Sequence, residues 1–195
     1  MGGIECVWAA VLGYVLGSIP FGLILTYLGG AGNLRDIGSG NIGATNVLRT
    51  GRKSLAALTL ILDLLKGTAA VMLASHFSPG CEIIAAAAAF FGHLYPVWLG
   101  FKGGKGVATY AGILFGLFWP MGLAYGITWI GMLLLTRTSS LAGLCAAVVA
   151  PIAAWGVDRP DLIPVLIVCS GIVFWKHREN IQRLNAGTEP KIGQK

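Results

Sequence analysis

Residues 107–136 carry no Asp, Glu, Lys or Arg, and neither do residues 6–34. About 20 apolar residues cross the hydrocarbon of a bilayer. In that solvent each backbone polar group must be satisfied internally, so uncharged runs of this length are read as helices. Only 11% of the 195 residues are charged, whereas soluble domains carry about 25%. With a mean hydropathy of +0.75, the chain is expected to be all-α, a polytopic membrane helical bundle forming a single domain over residues 1–195.

The candidate spanning segments are residues 6–34, 54–76, 82–100, 107–136, 138–157 and 162–175. Pro120 lies near the middle of the fourth, and the distribution of positive charge decides whether it divides the run. If it does, Arg35, Arg49, Arg52, Lys53, Lys102, Lys105, Arg137, Lys176, Arg178, Arg183, Lys191 and Lys195 fall on one side, 12 of the 14 Lys and Arg. Lys66 lies within a helix and Arg159 alone is opposite, beside Glu5, Glu82, Asp158 and Asp161. The positive-inside rule therefore selects about seven segments, with the N-terminus outside and the C-terminus inside. Of these, the segment after residue 107 is too short to span alone at about 1.5 Å per residue. The first run follows Glu5 with no basic region before it, so it reads as a retained helix and not a signal peptide.

Cys6, Cys81, Cys145 and Cys169 have no metal or redox spacing and sit in or beside apolar runs, where free Cys behaves as a small hydrophobe. Gly13/Gly17, Gly112/Gly116 and Gly122/Gly126 are small-xxx-small pairs that permit close helix packing. His76, His93 and His177 lack metal-ligand spacing, and no zinc-protease or nucleophile-elbow motif is present. No metal or cofactor is expected, and the basic residues, confined to short inter-helix segments, point to membrane orientation and phosphate binding, not nucleic acid.

Three polar segments carry the chemistry. The first, Gly38–Asn46, sets Ser39, Asn41, Thr45 and Asn46 among glycines, with Arg49 three residues on. Such a loop brings backbone N–H groups toward an anion, and an arginine fork grips phosphate. A flexible loop flanked by orienting arginines fits these residues equally well. The second, Lys102-Gly103-Gly104-Lys105-Gly106, leads into a helix at Val107, whose N-terminus adds positive potential. Its simpler reading is a positive-inside anchor. In the third, Lys176–Leu184, His177, Asn180 and Leu184 share a helical face while Arg178 and Gln182 point elsewhere. Asp63 and Lys66 lie one turn apart in an apolar helix, as a buried ion pair or as ligands.

These segments resemble the three signature motifs of the bacterial acyl-phosphate-dependent glycerol-3-phosphate acyltransferase family. The second match runs from Gly92-His93-Leu94-Tyr95-Pro96 through Phe101–Thr109; the third includes His177–Ile181, Arg183-Leu184 and Gly187-Thr188-Glu189. Gly17–Gly22 and Leu62–Gly67 also follow the family pattern. The resemblance implies transfer of a fatty acyl group from acyl phosphate to the 1-hydroxyl of glycerol 3-phosphate, giving lysophosphatidate and phosphate, the first step of phospholipid synthesis. It implies substrate contacts at Ser39, Arg49, Lys105, His177 and Asn180, and at Ser140 if the register of Thr138-Ser139-Ser140 holds. It further implies a bacterial inner-membrane protein with its site on the cytoplasmic face, among membrane lipids, linked functionally to the enzyme making acyl phosphate.

The sequence has no His-x-x-x-x-Asp pair, the base and partner of acyl-thioester-dependent acyltransferases. A substrate-assisted reaction is therefore expected, with His177 as the alternative general base or, failing that, a solvent-exposed tail residue. The rival of another class is a membrane transporter of phosphorylated metabolites, which predicts basic residues leading to the outer face.

Overall fold

The computed structural model describes residues 3–193; Lys195, counted above in the basic tail, lies outside them. Among the described residues the regular elements are helices: α1 (Gly3–Gly17), α2 (Phe21–Leu28), α3 (Ala44–Leu48), α4 (Lys53–Phe77), α5 (Glu82–Leu94), α6 (Val107–Leu117), α7 (Trp119–Thr136), α8 (Ser139–Gly156), α9 (Ile163–Lys176) and α10 (Arg178–Asn185). Five stretches are long and apolar enough to cross a membrane: Gly3–Leu28, Lys53–Phe77, Glu82–Leu99, Trp119–Thr136 and Ser139–Gly156. Helix α6 is a shorter apolar helix, and Pro160–Lys176 bends by 60° into α10. The all-helical membrane architecture expected from the sequence is the one observed. Large apolar side chains such as Leu28, Met72, Leu134, Leu135 and Trp155 are exposed, as helices facing lipid require. The division near Pro120 is also present: the chain breaks at Phe118, and Pro120 sits in the first turn of α7, where its missing N–H is harmless.

The chain divides into two compact units, residues 1–117 and 118–195. In the first, α1 packs on α4 and α5, and α4 on α5 and α6. These contacts are backbone on backbone. A Cβ at Gly13 or Gly17 would strike the carbonyls of Ala85 or Ala89, and one at Gly112 would strike Leu64 O. Two of the three small-residue pairs thus mark real crossings; Gly126 of the third faces open space. Pro20 has no N–H to continue α1 into α2. The break leaves carbonyls at Ser18 and Ile19 that side chains take up: Trp98 Nε1 donates to Ser18 O at 2.9 Å and Lys66 Nζ to Ile19 O at 2.8 Å.

One expectation is overturned here. Cys6 and Cys81 are not free apolar fillers but form a disulfide joining the start of α1 to the residue before α5, with Cα atoms 5.2 Å apart. They are 75 residues apart, and only the packing of α1 along α5 brings them together. Cys145 and Cys169 are free thiols, as expected.

In the second unit α8 packs on α7 and α9. Pro151 lies inside α8 and cannot donate to the carbonyl four residues earlier. That carbonyl, Ala147 O, accepts instead from Ser170 Oγ of α9 at 2.6 Å.

Candidate active site

In the first unit, the segment between α2 and α4 is built around one amide. Asn46 is 2% exposed. Its Nδ2 donates to the carbonyls of Leu34, Ile37 and Asn41 at 3.0, 2.9 and 2.8 Å. Its Oδ1 accepts from Ser39 N at 3.2 Å and from Arg49 Nη1 at 3.4 Å. Asn46 therefore shapes the loop and aims Arg49. Gly38 has φ +55°, and a Cβ there would press on Arg49 Cδ at 2.6 Å, so this turn needs glycine. The result leaves Ser39 and Arg49 exposed, each held through the Asn46 amide oxygen. Asn41 turns inward on the next residue, accepting from Ile42 N at 2.8 Å, and Thr45 is half-buried in α3.

The Arg35 guanidinium donates to Lys102 O, tying this loop to the second basic segment. Gly103 N and Gly104 N donate to Leu94 O and His93 O at 3.1 and 3.0 Å. They cap carbonyls that the end of α5 would otherwise leave unpaired. The Gly-rich composition of this segment, like that of the first, suits N–H groups gathered on an anion, but the fold turns these two onto α5. The half-buried Lys105 follows them, just before α6 begins at Val107.

The second unit carries a cluster on one carboxylate. Glu189 Oε1 accepts from Ser140 Oγ at 2.6 Å and from Asn180 Nδ2 at 2.5 Å, and its Oε2 from Arg183 Nε at 2.7 Å. Burial alone would raise the Glu189 pKa, but these three hydrogen bonds and the arginine charge together hold it below the usual glutamate value. Of the two adjacent serines, Ser140 is the buried one. His177 caps α9 and is 3% exposed, so it is not the solvent-exposed tail residue that was one expectation. Its Nδ1 lies 2.8 Å from Val173 O. A carbonyl only accepts, so Nδ1 carries the proton and Nε2 is the acceptor nitrogen of the neutral ring. Asn180 is buried beside it on α10 while Arg178 and Gln182 are exposed, as the helical spacing required.

The sequence reading passed over Glu189 as a site residue. Its one signal in the sequence is its place within the Gly187-Thr188-Glu189 match, as one of two carboxylates, with Glu179, in the basic tail. It also left open the fate of Asp63 and Lys66, which form a buried ion pair at 2.6 Å, with the His93 Nδ1 3.7 Å from the same carboxylate oxygen.

Comparison with known proteins follows the same lines. Residues 7–187 match the family model described as glycerol-3-phosphate acyltransferase. A glycerol-3-phosphate acyltransferase of Mesorhizobium japonicum is 61% identical over 187 residues, covering 96% of each chain. One from Rhodopseudomonas palustris strain HaA2 is 59% identical over 189 residues, covering 96% of this chain and 95% of that one. The crystal structure of PlsY (YgiH), an integral membrane glycerol 3-phosphate acyltransferase, in its glycerol 3-phosphate form superposes with a TM-score of 0.91 at 36% identity, covering 96% of both chains. Its lysophosphatidic acid form gives 0.88 at 35% identity, covering 96% of this chain and 95% of that one. These matches favour an acyltransferase over a transporter of phosphorylated metabolites.

Proposed function

The chain belongs to the glycerol-3-phosphate acyltransferase family, and from that premise we propose that it moves a fatty acyl group from acyl phosphate to the 1-hydroxyl of glycerol 3-phosphate. The products are lysophosphatidate and inorganic phosphate. The observation that carries this reading is the family match across residues 7–187, joined to the similarity with a structure described as a glycerol 3-phosphate form. One family model spans both compact units, which supports treating residues 1–195 as one functional domain.

Acyl phosphate is a mixed anhydride and needs little activation. The protein's task is to hold two anionic groups and balance their charge, so positioning and electrostatics supply most of the rate. Ser39, Arg49, Lys105, Ser140, His177 and Asn180 are the proposed substrate contacts, with Gly103 and Gly104 shaping the turn that presents Lys105. Asn46 acts by holding Arg49, whereas Asn41 and Thr45 complete its loop. The acceptor oxygen attacks the acyl carbon, the bond from that carbon to the phosphate oxygen breaks, and the leaving phosphate takes the hydroxyl proton. If His177 serves as base instead, the proton passes to Nε2, since Nδ1 already donates to Val173 O.

The protein is an integral membrane protein, placed by this reading in the bacterial inner membrane with its N-terminus outside and its polar loops facing the cytoplasm. The charge distribution supports that orientation. So does the Cys6–Cys81 disulfide at the N-terminal ends of α1 and α5, because disulfides persist in the oxidising compartment. The source of acyl phosphate is then a cytoplasmic enzyme.

The test uses purified protein, acyl phosphate and glycerol 3-phosphate, following phosphate release and lysophosphatidate formation. Acyl phosphate should turn over far faster than acyl-CoA, and equal turnover of pure acyl-CoA would remove the basis for the substrate-assisted step.

A further inference from the structure

A chain of buried contacts leads away from the second basic segment into the middle of the first unit. Lys66 and Asp63 are 2% and 4% exposed, and they pair at 2.6 Å on α4. Lys66 Nζ also donates to Ile19 O at 2.8 Å and lies 5.7 Å from the centre of the Phe21 ring. It thus anchors α4 to the break between α1 and α2. The same Asp63 oxygen is 3.7 Å from His93 Nδ1, and His93 is 4% exposed. The other edge of that imidazole is packed against the second basic loop: a Cβ at Gly104 would collide with His93 Nε2. The His93 carbonyl accepts from Gly104 N at 3.0 Å, and Gly103 N is held by the next carbonyl. The turn just beyond α5 is pinned as well. Tyr14 Oη donates to Tyr95 O at 2.8 Å, accepts from Val97 N at 3.1 Å, and Trp98 reaches Ser18 O.

A buried ion pair is poor evidence of stability. Desolvation offsets most of the attraction, and well-packed apolar replacements are often neutral or better. Ionisable groups inside apolar helices instead tend to mark function. Here the pair anchors α4 to the break between α1 and α2 and sets a carboxylate oxygen 3.7 Å from Nδ1 of the His93 ring, whose other edge lies under Gly104.

We propose that Asp63, Lys66 and His93 are positioning residues for acyl transfer: the ion pair fixes the His93 imidazole, and the imidazole supports the Gly103-Gly104 turn that sets the place of Lys105. This inference rests on the proposed role of Lys105 as a phosphate contact. It extends the working part of the protein from the loops to a second layer inside the helices.

The experiment compares kcat and KM for both substrates in wild type, Lys105→Arg, His93→Gln and the double variant Asp63→Asn/Lys66→Met. The double variant removes both charges together, so no single buried charge is left unpaired. Lys105→Arg keeps the charge but displaces it, and the substrate whose KM it raises identifies the phosphate that Lys105 holds. Both other variants are expected to raise the KM of that same substrate tenfold or more while changing the other KM less than threefold. A role in folding alone would lower kcat with the active fraction and leave both KM values in place, and that result overturns the proposal. So do unchanged kinetics in well-folded variants, or failure of both variants to fold in the membrane. Absence of turnover in the wild type would count against the acyl-transfer reading itself.

Discussion

Ser140 donates its hydroxyl to the Glu189 carboxylate at 2.6 Å, joining the first turn of α8 to the tail 49 residues later. Because Asn180 and Arg183 donate to the same carboxylate, one side chain orients two proposed substrate contacts. It does so without being one itself.

Glu189→Gln should reduce kcat/KM by about tenfold or more, the scale of losing hydrogen bonds to a charged group at about 1.5–3 kcal/mol. The folded-state pKa of Glu189 is depressed. The stability it contributes is therefore complete above the unfolded value near 4.3 and is lost as pH falls through the lower folded value. Thermal stability of the wild type should decline over that acid window, and Glu189→Gln should lack that part of the decline. Matching pH profiles for the two proteins would show that the carboxylate is not linked to folding.

Arg49→Gln and Lys105→Gln should be nearly inactive yet inserted and folded. Removing a charge that contacts phosphate in a partly dehydrated site costs about 2–5 kcal/mol, or roughly 30- to several-thousand-fold in kcat/KM. Arg49→Lys should also be poor, because an ammonium cannot replace a two-pronged fork. Arg52 and Lys53, exposed at the start of α4, serve as controls. If Arg52→Gln or Lys53→Gln hurts as much as Lys105→Gln, the basic residues act only as a charged surface.

Single cysteines at the exposed positions Asp36, Lys102 and Asn185 should react with a membrane-impermeant thiol reagent from the cytoplasmic side. A cysteine at Asp161 should react from outside. Cys6 and Cys81 should resist alkylation until a reductant is added, seen as a mass shift of two labels. Labelling of Lys102→Cys and Asn185→Cys from opposite faces would break the seven-segment topology.

Gly17→Ala should destabilise the protein by about 1–3 kcal/mol, the usual scale of overpacking, since its methyl would meet Ala89 O of α5. Gly126→Ala has open space and a better helix former, so it should be neutral or stabilising. Thermal unfolding in one detergent measures both, and equal effects would mean that α1 and α5 do not touch as described.

Much of this molecule is legible in its sequence because lipid leaves the backbone few choices. The uncharged runs, Pro120 and the spacing of His177, Asn180 and Leu184 each act within a few residues, through hydrogen bonds and periodicity that the chain carries locally. The same locality explains the misreadings. Gly103 and Gly104 have the composition of an anion loop, yet their N–H groups face the end of α5, which composition does not encode.

The sequence by itself determined the solvent, the helices, their order and the polar segments between them. Tertiary structure alone decided that Cys6 meets Cys81, that Asp63 reaches His93, and that Ser140, Asn180 and Arg183 share Glu189. Each of these depends on which helix faces pack together. That choice is made by small residues such as Gly17 against Ala89 and Gly112 against Leu64, whose close approach is worth something only after both helices exist.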